Sequence, residues 1–179
     1  MSGGDQTDTP LLFPEDDATA NFWISTWLAD GDANKVAAAT ATLESGLKCR
    51  VVGPGGEEIK TDMPRAMGGN ASDPNPGWFF RASLASCCAT VIALRAARLG
   101  INLSKLEVAV ESEGDTRGIL GLDDRISAGM SALRTTVQIA ADNAGPEQLE
   151  ELVRWSDRHS PVGCTVREAV RNTLIVHTG

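Results

Sequence analysis

The 179-residue chain is predicted to fold as an α+β domain with the element order βββ-α-ββ-α-β. Three observations carry that expectation. Short runs separated by turn glycines fill residues 36–61, and one long apolar stretch over residues 78–99 is bracketed by helix start and stop signals. Alternating segments then return at residues 103–141 without helices between them. Strands and helices segregate along the chain, as in α+β rather than alternating α/β architectures.

Residues 1–20, rich in Asp, Gly, Thr and Pro, are expected to form a flexible N-terminal arm, and residues 21–179 a single domain. Within it, residues 21–34 carry Phe22, Trp23, Ile24 and Trp27; this is too apolar to float, so an extra packing segment on the body or a partner subunit is expected. Val36–Leu43, Leu47–Val52 and Glu57–Thr61 read as a three-stranded meander turned by Gly46 and the GPGG at residues 53–56. A loop over residues 63–77 ends in Asn75-Pro76, an N-cap residue followed by proline at the first helical position.

The helix so begun runs from Gly77 or Trp78 to Leu99, with Gly100 as its terminating glycine. Apolar or small residues occupy nearly every face, predicting a central helix buried on all sides. Leu106, Val108 and Val110 alternate along one following strand, and Thr135, Val137 and Ile139 along another. Pro146 opens a helix with Leu149, Leu152, Val153 and Ser156 on one stripe. SPVGCTV interrupts, and AVRNTLIVHTG is expected to close the domain as a strand.

Composition narrows the function. A net charge of −8 argues against nucleic acid or an anionic membrane surface, because both demand clustered Lys and Arg. No apolar run is read as long enough to span a bilayer, which takes about 18 residues. No basic-then-apolar leader opens the sequence, so the four cysteines are expected as reduced thiols in the cytoplasm. Two histidines and no CxxC or HxxxH spacing leave no metal site, and no cofactor is implied. GxxxxGK[ST] and GxSxG are both absent.

The cysteines remain. Cys87 and Cys88 sit adjacent on the apolar helix and point about 100° apart. Apolar burial disfavours a thiolate, and three turns into the helix its own dipole gives no help. A reactive thiolate there needs a cation from elsewhere, most plausibly an arginine of the meander. Packing and chemistry are both open on this reading. Cys49 and Cys164 read as structural, His159 as a surface residue at a helix end, and EGDTRGILGLDD as a solvated connection rather than a lid.

Taken together, the element order, the Gly-Gly and Asn-Pro before a helix carrying AxC, the strand opened by GINLSKLEVAVE, and the SPV after the second helix resemble the OsmC and organic-hydroperoxide-resistance (Ohr) superfamily. The resemblance covers roughly residues 35–178. It implies an intertwined homodimer and a thiol peroxidase that reduces organic hydroperoxides in the oxidative stress response. It places the peroxidatic cysteine at Cys87, leaves Cys88 as packing, and makes Arg50 the nearest counterpart of the family's catalytic arginine, with Arg81 as an alternative.

Two positions depart from the family. Gly77 stands where a glutamate holds the arginine, and Ser160 stands where a resolving cysteine opens a CPxS segment. Cys164 follows four residues later, about 6 Å along if that stretch is helical. Weak peroxidase activity is the expectation, with Cys87 resolved by Cys164, if the loop re-aims it, or by an external thiol reductant. The alternative is a non-peroxidase dimer that binds a small hydrophobic ligand in its interfacial pocket.

Overall fold

The structure, a computed structural model, describes residues 38–168 and 170–179; the expected arm and the 21–34 packing segment lie outside them. Three antiparallel strands, β1 (Thr40–Ser45), β2 (Lys48–Val52) and β3 (Glu58–Thr61), form one sheet in that order. Cys49 faces Thr61, and Val51 faces Ile59, in the β2–β3 register. A single 3-10 turn, Arg65–Met67, lies in the loop before the long helix α1, Pro76–Arg98.

Both ends of α1 are made as the sequence predicts. The Asn75 side chain accepts the Trp78 amide at 2.9 Å, and Pro76 occupies the first helical position. At the other end Gly100, at φ 64, donates to the Ala97 carbonyl while the Ile101 amide donates to Ala96. This paired closure satisfies carbonyls that the helix leaves open. It also turns Ile101 into the core, where it is 5% exposed.

After α1 come β4 (Leu103–Glu113), the short α2 (Thr116–Ile119) and β5 (Ala132–Ala141). The chain continues through α3 (Pro146–Arg158) and α4 (Pro161–Glu168). β4 and β5 pair antiparallel, with Leu106 opposite Ile139 and Val108 opposite Val137. These side chains pack on a core of Cys88, Ile92, Ala96, Ile101, Leu149 and Leu152.

Two expectations about α1 are corrected. α1 buries only the stripe Leu84, Cys88, Ile92 and Ala96, at a spacing of four, while Trp78, Phe80 and Leu94 are exposed. Within one chain, β4, α3 and α4 cover one side of it, so burial all round is not reached. Its 23 residues are long and apolar enough to cross a membrane by length and composition, which run length alone had excluded. Here that apolar stripe is spent on a protein core.

The final strand does not form. Residues 170–179 have no regular structure, and Leu174, Ile175 and Val176 are exposed. A strand exists only through a ladder partner, and the β4–β5 pair supplies none to this segment. The interruption between the second main helix and the C-terminus is itself helical, as α4.

Candidate functional site

α4 explains where Cys87 sits chemically. Ser160 is its N-cap: the Gly163 amide donates to Ser160 Oγ at 3.2 Å, and the Cys164 amide donates to the Ser160 carbonyl at 2.8 Å. Pro161 occupies the first helical position. The Gly163 amide takes one lone pair of the hydroxyl, so its proton is free to be directed elsewhere. It goes to Cys87, with Ser160 Oγ donating to Cys87 Sγ at 3.3 Å. Ser160 is only 1% exposed, so this contact is held inside the protein.

A reactive thiolate at Cys87 is expected to need a cation from the meander. What lies against the half-buried Cys87 is instead the amino end of a different helix. Such an end carries partial positive charge from its unpaired amides. Ser160, the residue standing in for a sulfur, is the group in contact with Cys87. The Ser-Pro pair at residues 160–161 is the same start signature as Asn75-Pro76, and reading it as such would have found α4.

The other expected participants are placed differently. On β2, where it is the exposed residue, Arg50 has its Nη2 2.6 Å from Glu58 Oε2 and makes no hydrogen bond to Cys87. Arg81 Nη1 donates to Ser112 Oγ at 3.1 Å. Cys164 lies one turn along α4 from Ser160, but its thiol donates to the Arg158 carbonyl at 3.3 Å. The guanidinium that reaches a sulfur is that of Arg167, whose Nη2 is 3.5 Å from Cys164 Sγ. Arg167 is anchored in turn on Asp157, at 2.9 Å to Oδ1 and 2.6 Å to the carbonyl.

Cys88 behaves as packing. It is 3% exposed, burial pushes its thiol up, and the negative charge of Asp157 adds to that. His159 is exposed and stacks on Trp155 with centroids 3.8 Å apart, its Nδ1 2.6 Å from the Trp155 carbonyl. Arg95 covers Trp155 at 4.3 Å. The 113–124 connection holds itself with a pair between Arg117 and Asp115 and is largely exposed. Among the described residues no His, Cys, Asp and Glu cluster could hold a metal.

The loop that feeds α1 is braced by Asp62, which is 1% exposed. Its carboxylate accepts the amides of Met63, Asn70 and Ser72 at 2.8, 3.1 and 3.1 Å, and the Ser72 hydroxyl at 3.0 Å. The Ser72 amide above all, with the other donors, holds this carboxyl below the ordinary carboxylate range. Lys48 pairs with Asp73 at 2.7 Å beside it, tying the loop to β2.

The chain is similar to known proteins in one consistent way. A family model described as OsmC-like protein matches residues 68–174. Among solved structures, an OsmC-like protein from Mycoplasma pneumoniae is 19% identical, with a TM-score of 0.63 over 75% of this chain and 89% of that one. An organic hydroperoxide resistance protein OsmC from Legionella pneumophila is 19% identical, with a TM-score of 0.55 over 75% of this chain and 92% of that one. One from Elizabethkingia anophelis is 18% identical, with a TM-score of 0.55 over 75% and 91%. No curated protein matches by sequence.

Proposed function

The chain belongs to the OsmC-like protein family, and on that premise we propose that it is a thiol peroxidase that reduces organic hydroperoxides at Cys87. The observation that carries the reading is the 3.3 Å hydrogen bond from Ser160 to Cys87 Sγ at the amino end of α4. The contact sets a hydrogen-bond donor on the sulfur and the positive end of a helix beside it, the surroundings a nucleophilic sulfur uses.

In the cycle, the Cys87 thiolate attacks the terminal peroxide oxygen. The O–O bond breaks, a sulfenic acid forms on sulfur, and the alkoxide leaves as alcohol after taking a proton. With a hydroxyl at Ser160, the sulfenic sulfur is attacked by an external thiol. That step releases water and leaves a mixed disulfide, and a second thiol frees Cys87. Cys164 stays outside the cycle while α4 is intact, because its sulfur is turned to Arg158 and Arg167.

The working unit is a homodimer in the cytoplasm, where reducing thiols are abundant. Exposed Leu43, Leu47, Ile59, Trp78 and Phe80 give each copy apolar surface to bury.

The test treats reduced protein with one equivalent of cumene hydroperoxide and traps sulfenic acid with dimedone. Dimedone is expected on Cys87, with thiol-dependent peroxide consumption that Cys87→Ser abolishes. An unmodified Cys87 after minutes of exposure, or a Cys87→Ser protein of undiminished activity, would sink the reading.

A further inference from the structure

A cavity of about 480 Å³ opens beside the first turns of α1, and Cys87 is not among the residues that line it. Its size is that of small-molecule sites, roughly 300–1,000 Å³. Met63, Met67 and Met130, every methionine of the chain but the first, line it. Methionine is unbranched and polarisable, so such a wall adapts to flexible apolar bodies. Two charged side chains on the wall define what can enter: half-buried Arg81 and exposed Glu113.

Arg81 is half-buried, and among the described residues its one hydrogen bond goes to the neutral Ser112 hydroxyl, at 3.1 Å. A guanidinium carries five donors, so most of its capacity is unused. Among the described residues no carboxylate lies within 4 Å of it. One turn earlier on the helix is Gly77, and a Cβ there would sit 3.8 Å from Arg81 Nη1. The absence of a side chain at Gly77 leaves the guanidinium open to the cavity.

We propose that this cavity is a binding site for an amphipathic monocarboxylate, with the carboxylate on Arg81 and the hydrocarbon body on the methionine wall. A planar carboxylate matches the fork of the guanidinium. Glu113 on the wall repels a second negative charge, which disfavours phosphate esters and dicarboxylates. The site takes its ligand whether or not Cys87 turns over peroxide.

Titration calorimetry on the full chain tests this with octanoate, octanol and octylamine as probes. Octanoate is expected to bind once per chain in the millimolar range or tighter. Octanol and octylamine are expected to bind roughly tenfold more weakly or not at all, the charge-assisted contact being lost. Arg81→Gln is expected to reduce octanoate affinity by about the same factor. Gly77→Glu, which sets an internal carboxylate four residues before Arg81, is expected to do likewise. Cys87→Ser is expected to leave binding unchanged. Octanol binding as tightly as octanoate on the wild-type chain, or undiminished octanoate binding in Gly77→Glu, overturns the proposal. So does the absence of octanoate binding at millimolar concentration.

Discussion

Replacing Ser160 by cysteine would convert the contact with Cys87 into a covalent one. The two side-chain atoms are 3.3 Å apart, and a disulfide needs about 2.05 Å. About 1.25 Å must close, part of it supplied by the longer carbon–sulfur bond and the rest by small rotations about χ1. The bond would join positions 73 residues apart, and a loop of that size is worth roughly 4 kcal/mol in the chain-entropy account. Against this stands the loss of the Ser160 cap on the Gly163 amide, about 1 kcal/mol.

Ser160→Cys is therefore expected to be less stable than wild type by about 1 kcal/mol when reduced, and more stable by roughly 3 kcal/mol when oxidised. Urea titration under both conditions, with peptide mapping of the 87–160 bond, measures it. Two oxidants separate geometry from reactivity. If diamide forms the bond but one equivalent of cumene hydroperoxide does not, the geometry stands and the peroxidatic role of Cys87 falls. If neither forms it while both thiols are consumed, the contact itself is refuted.

Other outcomes follow from packing and charge. Ile92→Ala, at a site with 0% exposure in the centre of the core, should cost about 2–5 kcal/mol in urea unfolding. Asp62 contributes stability in full above the ordinary aspartate pKa, and loses it as pH falls through its lower folded value. Asp62→Asn should thus lower stability at neutral pH and flatten the acid limb of the unfolding midpoint against pH. Gly69→Ala would drive a methyl group into the Met63 carbonyl and should destabilise by roughly 1–3 kcal/mol, read as a lowered Tm.

What was legible in the sequence was local. Asn75-Pro76 and Gly100 announced both ends of α1 because caps and terminating glycines act over a few residues. The stripe Leu149, Leu152, Val153 and Ser156 announced the inner face of α3 for the same reason. The approach of Ser160 to Cys87 joins residues 73 apart and depends on how α4 packs, which no spacing encodes. The final strand failed for a related reason: β propensity in TLIV is necessary for a strand, but a partner edge decides it. Asp62 gathers donors from a loop whose path only the folded chain defines.

The sheet of β1, β2 and β3 has its own thermodynamic consequence. No residue from Thr40 to Lys60 is buried, and the sheet is fastened at one corner, where Thr61 and Asp62 are 7% and 1% exposed. Its amides are protected by ladder bonds alone, while those of α1 are backed by a packed stripe. Local opening of the meander therefore costs less than global unfolding, and the chain has two cooperative units of unequal strength. In an isolated copy, deuterium would enter β1 and β2 long before the middle of α1. Any surface that covers the meander would slow that exchange without touching the core.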